Sequence, residues 1–333
     1  MLFQPAIIAL LLASAVCVAA MTAAAPFALE VIRRWDIASG SELQLALERR
    51  TYLFSTLLAF VLSTQLAALL LFVFNADKMS VMFVGAMCAV GTLNVNPYGF
   101  PALMAQMLVF FLSAACLEIN HVDNRAPDYP LVRIKYALLI ALLPLLALSF
   151  ALQLQYFLGL KADVITSCCG SLFSSEAKTI ASEASGMPPV PAMALFYGAL
   201  ALAILAAGRQ AVRKSGGTLT AATGVAAFAA GITGVLSFVS LYVYEHPHHH
   251  CPFCILKAEY DFQGYWLYLP LFAATAAAIG AGAVQPFARV ASLRDVVPVV
   301  SARLAAIAAA GFALFAIIAT FMVLRSNLIL IEH

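Results

Sequence analysis

The chain has 333 residues, a formal net charge of +2 and only 10% charged side chains, against 64% hydrophobic residues and a mean hydropathy of +0.97. Soluble domains carry about a quarter charged residues and about half apolar ones, so this balance excludes an ordinary soluble domain and points to a polytopic membrane protein. The charges sit in short clusters with no basic stripe among aromatics, so no nucleic-acid partner is expected.

A bilayer core about 30 Å thick needs about 20 apolar residues in helical form, so charge-free runs predict the spans. In chain order they are Met1–Leu29, Thr51–Phe74, Met79–Leu117, Tyr136–Leu160, Met187–Gly208, Thr218–Tyr244, Phe262–Ala288 and Leu304–Leu324. The first lacks the basic start of a secretory signal and reads as a retained span. Between the first two, Asp36–Arg50 reads as a short amphipathic helix on the inner surface. The long run Met79–Leu117 is interrupted by Asn94, Asn96, Pro97, Gly99 and Pro101, which allows two crossings, or one crossing with a re-entrant segment.

Loop charge arbitrates, because Lys and Arg in short loops collect on the cytoplasmic side. Arg33, Arg34, Arg49 and Arg50 form one group, Arg209, Arg213 and Lys214 a second, and Arg289, Arg294 and Arg303 a third. Placing all three inside makes Met79–Leu117 one net crossing and puts Arg125, Arg133 and Lys135 inside too. The expectation is an all-α polytopic helical bundle of about eight crossings, with nine as the alternative. It forms one membrane domain over residues 1–333, in a bacterial inner membrane with both termini outside. No Asp, Glu, Lys, Arg or His lies within a confidently assigned span, which argues against a proton-driven transporter. There is no nucleotide-binding GxxxxGK[ST] sequence and no CxxCH for covalent haem.

Two outer loops carry the residues with chemistry. The loop near 161–186 contains Cys168 and Cys169, followed by Gly170. The loop near 245–261 reads EHPHHHCPFCILKAEYD, with His246, His248, His249 and His250 just before Cys251 and Cys254. Thiolates and imidazoles suit Cu(I) and Zn(II), and two cysteines spaced by two residues can share one ion. The expected metal ligands are therefore Cys251, Cys254 and one or more of the four histidines, with Cys168 and Cys169 as a second or exchanging site. A disulfide between neighbouring cysteines would distort the peptide bond, whereas two adjacent thiolates can share a soft cation. Five of the ten methionines (Met79, Met82, Met87, Met104, Met107) fall in the interrupted run and could extend a path of soft ligands, although methionine is also a common core filler. Cys17, Cys88 and Cys116 read as packing residues. Lys257, Glu259 and Asp261 read equally as partners for a ligand histidine or as solvated charges.

The CPFC motif also admits redox chemistry. Pro252 could open a helix with Cys251 as its N-cap, and the helix terminus together with His250 would lower the Cys251 pKa. Cys251 would then attack a disulfide and Cys254 resolve it. At Cys251–Cys254, and loosely at Cys168 with Cys169, the chain resembles quinone-linked disulfide-generating membrane enzymes related to vitamin K epoxide reductase. Helix number and the vicinal placement of Cys168 and Cys169 depart from that family. The resemblance implies thiol-disulfide oxidoreduction with a quinone. Expected partners are the lipid bilayer, further subunits of a membrane complex for which the chain would be a permease or scaffold, and a periplasmic metal or thiol carrier.

Overall fold

A computed structural model describes residues 4–161, 164–166 and 180–330, with side chains at 180 and 181 left aside. Every regular element among them is helical. In chain order these are α1 (Pro5–Arg34), α2 (Glu42–Lys78), the short α3 (Ala89–Leu93), α4 (Gly99–Asp123), α5 (Val132–Leu158), α6 (Ile180–Ser185), α7 (Pro189–Arg213), α8 (Gly217–Gly234), α9 (Ser240–Tyr244), α10 (Gln263–Val284) and α11 (Val296–Arg325). Eight helices among the described residues are long and apolar enough to cross a membrane. The protein is an all-α polytopic membrane architecture, as the charge-free runs predict.

The interrupted run resolves into a 3-10 turn at Met79–Met82, the single-turn α3 and the long α4, so it holds one helix of spanning length. The amphipathic helix expected over Asp36–Arg50 is not separate. Its second half is the start of α2, which runs unbroken from Glu42 because nothing between Arg50 and Thr51 stops a helix.

The chain divides into two compact units. One comprises Met1–Asn75, Asn96–Leu160 and Pro286–Val300. In it α5 packs against both α1 and α4. Phe27 stacks on Phe54 at 4.3 Å and meets Tyr136 edge-on at 5.5 Å, and aromatic pairs in these geometries add about 0.5–1.5 kcal/mol beyond their area. The same unit contains a buried ion pair that charge-free runs do not reveal. Lys135 Nζ lies 2.8 Å from Asp123 Oδ2 and donates to Ser55 Oγ at 2.9 Å, while Asp123 Oδ1 accepts the Leu131 N–H at 2.7 Å. α4 and α5 extend past the charge-free runs and take both residues into their end turns.

The other unit comprises Ala76–Val95, Lys161–Gln285 and Ser301–His333, and within it α8 packs on α7 and α10. Small residues set the α8–α10 approach. A Cβ added at Gly224 would stand 2.5 Å from the Ala278 Cβ, and one at Gly282 would stand 2.5 Å from the Ala221 Cβ. Small residues allow helix axes to approach this closely. α8 continues through a π-helical turn, Val235–Val239, into α9, which delivers the chain to the histidine-rich loop.

Candidate metal centre

The site is built entirely within the second unit, from two chain segments. Cys254 opens a 3-10 turn, Cys254–Leu256, and Cys251 lies in the irregular chain just before it. The loop is held by hydroxyls. Tyr244 donates to the Cys251 carbonyl at 2.5 Å and receives the Ile255 N–H, and Tyr268 donates to the Pro252 carbonyl at 2.6 Å. Backbone carbonyls that no helix satisfies are thereby paired, as buried polar groups must be.

The second segment brings Cys88, directly ahead of α3. Cys88 Sγ lies 3.3 Å from Cys251 Sγ, and the sulfurs of Cys88, Cys251 and Cys254 all fall within 4.8 Å of one another. Their relative exposures are 0%, 0% and 5%. Two sulfurs each about 2.3 Å from one cation stand about 3.8 Å apart in tetrahedral geometry and about 4.0 Å apart in trigonal geometry. The Cys88–Cys251 spacing is somewhat shorter than either value, and all three pairs lie within reach of one cation. None of the three forms a disulfide.

No protein-family model, curated protein or solved structure matches this chain.

The second segment is fastened by specific contacts. Lys257, three residues past Cys254, donates to Ser80 Oγ at 3.2 Å and lies 4.0 Å from Asp77 Oδ1, while Asp77 accepts the N–H of Ala89, the neighbour of Cys88. Lys257 thus joins the two segments rather than serving a histidine. Gly85, at φ +86°, lies so close to Thr166 that a Cβ would stand 2.0 Å from the Thr166 carbonyl oxygen. That approach lets Thr166 donate from its N–H to the Val84 carbonyl at 3.0 Å and from its hydroxyl to the Gly91 carbonyl at 2.8 Å.

The electrostatics differ from the N-cap expectation. Cys251 caps no α-helix, and its hydrogen bond with the Cys254 thiol, joined by burial and the Cys254 charge, pushes its pKa well above the ordinary thiol value. The Cys88 hydrogen bond and the Phe253 N–H oppose that shift. A lone thiolate is therefore disfavoured at Cys251, whereas a cation binding the sulfurs displaces their protons and removes the penalty.

Among the described residues no histidine nitrogen joins the sulfur group. His246 and His248 are exposed, with ring centroids 6.1 Å apart across Pro247. His249 lies over Tyr244 at 4.1 Å, and burial followed by the charges of His246 and His250 lowers its pKa. His250 Nδ1 meets the Leu236 carbonyl at 2.8 Å; a carbonyl only accepts, so Nδ1 carries the proton. Leu236 lies in the π-helical turn, a distortion common at functional sites.

Cys168 and Cys169 lie outside the described residues. Cys17, read as a packing residue, is buried with its thiol 4.0 Å from the Val61 carbonyl. Cys88, read the same way, is instead the third member of the sulfur cluster. The signal that separates it from Cys17 is its place in the broken stretch between Gly85 and Asn94, since irregular backbone at membrane depth is tolerated where it is buried in protein or lines a cavity. Of the methionines in that run, Met79 is buried, whereas Met82, Met87 and Met104 are exposed.

Proposed function

We propose that this membrane protein binds and transfers a soft transition-metal cation, with Cu(I) ahead of Zn(II), through Cys88, Cys251 and Cys254. One observation carries the reading: three buried sulfurs from two chain segments within 4.8 Å of one another. Thiolates select Cu(I) and Zn(II) over harder ions. Structural Zn(II) almost always takes four ligands, and among the described residues the group contains three sulfurs and no nitrogen or carboxylate. That favours Cu(I).

Chain order supports a common outer face for the cysteines. With eight crossings, the basic groups at Arg33–Arg50, Arg125–Lys135, Arg209–Lys214 and Arg289–Arg303 belong to alternate connections on one side, as Lys and Arg in short cytoplasmic loops do. Cys88, the Cys168–Cys169 pair and the Cys251–Cys254 loop fall in the connections between, together with both termini. Cys168 and Cys169 are assigned here as the exchanging pair.

The test is metal content. Purified protein loaded anaerobically with Cu(I) should hold a chelator-resistant equivalent that Cys88→Ser, or Cys251→Ser with Cys254→Ser, abolishes. Unchanged content in those variants refutes the assignment. Mass spectrometry of thiol-blocked membranes addresses the redox alternative, in which a Cys251–Cys254 disulfide would turn over with a partner. The raised Cys251 pKa speaks against Cys251 as the attacking thiolate. A co-purifying ATPase, with no effect of cysteine substitution, would instead select the permease or scaffold role.

A further inference from the structure

The sulfur cluster has almost no solvent contact, so a cation must reach it through other groups. The imidazoles ahead of it lie at graded depth. His246 and His248 are exposed, with rings 6.1 Å apart. The His248 N–H donates to His246 Nδ1 at 3.2 Å, at the long end of hydrogen-bond distances, so an arriving cation can compete with it. His249 is further in. Its ring lies on Tyr244, the residue whose hydroxyl holds the Cys251 carbonyl, and its Nε2 is buried with no hydrogen-bond partner. An orphaned buried polar atom calls for a reason, and a nitrogen kept clear for a passing cation supplies one.

We propose that His246 and His248 form a solvent-side capture site for the cation, and that His249 passes it inward to Cys251. This rests on the soft-metal reading above and gives the histidines, which the sequence suggests as resident ligands, the role of the path by which the sulfur site is filled. Imidazole is a borderline ligand that accepts Cu(I) but holds it less firmly than thiolate, so the gradient runs toward sulfur. In the transfer, metal–nitrogen bonds break as metal–sulfur bonds form. Each thiol that becomes a ligand gives its proton to water, and the oxidation state of the metal does not change.

The test is the rate of loading. Full-length protein in detergent is mixed anaerobically with Cu(I) held by a chromophoric chelator, and the thiolate-to-metal absorbance is followed. His246→Ala with His248→Ala should fill to the wild-type level, but about tenfold or more slowly, the scale on which groups around a metal site act. His249→Phe keeps an aromatic ring on Tyr244, removes the nitrogen, and should be slow in the same way. Wild-type rates in either variant overturn the proposal. So does a lower final metal content, which would make the histidines ligands of the resident site. Failure of the wild-type protein itself to acquire Cu(I) would instead overturn the soft-metal reading, and that result needs no histidine variant.

Discussion

Cys251 shows how a residue's surroundings decide its chemistry. Spacing alone made it an N-cap thiolate; packing gives it two sulfur neighbours, nearly complete burial and a raised pKa. A thiol raised in the folded state contributes stability that is fully present below its ordinary value of 9.0 and is lost as pH rises through and beyond that value. Metal-free protein should therefore lose thermal stability on the alkaline side, and Cys251→Ser should flatten that loss. Equal slopes in the two proteins would show that the buried thiol is not responsible. The pair Cys251 and Cys254 was legible in the sequence because both lie in one short motif. Cys88 was not, because it lies far away in the chain and its role depends on α3, Lys257 and Asp77 bringing the segments together.

At the scale of elements, apolar runs located the spanning helices well but hid what happens at their ends. α4 and α5 each extend into polar sequence, and that is where Asp123 and Lys135 form their buried pair. Removing one partner of such a pair costs about 3–5 kcal/mol, whereas replacing both with apolar residues is often neutral. Lys135→Met should lower the unfolding midpoint clearly, and Lys135→Met with Asp123→Leu should recover most of the loss. A double variant no more stable than the single would mean that the carboxylate and ammonium act independently. The small residues from Ala273 to Ala283 mark a close helix approach, but the sequence does not say that α8 is the partner; Gly224 against Ala278 and Gly282 against Ala221 show it. The π-helical turn at Val235–Val239 was not legible, since one serine, Ser237, within an apolar run does not set it apart from an ordinary helix.

For the whole molecule, the bilayer constraint made the eight helices legible, because a backbone in hydrocarbon must satisfy its own hydrogen bonds. The same constraint says nothing about which loops meet, and the position of Cys88 depends on that. The account stands on three sulfurs from two distant segments of the chain acting as one ligand set. X-ray absorption at the copper edge of Cu(I)-loaded protein measures this directly. The expected result is a first shell of three sulfurs at about 2.3 Å, reduced when Cys88 is changed to Ser. A shell of nitrogen and oxygen only, or a sulfur count that Cys88→Ser leaves unchanged, would contradict it.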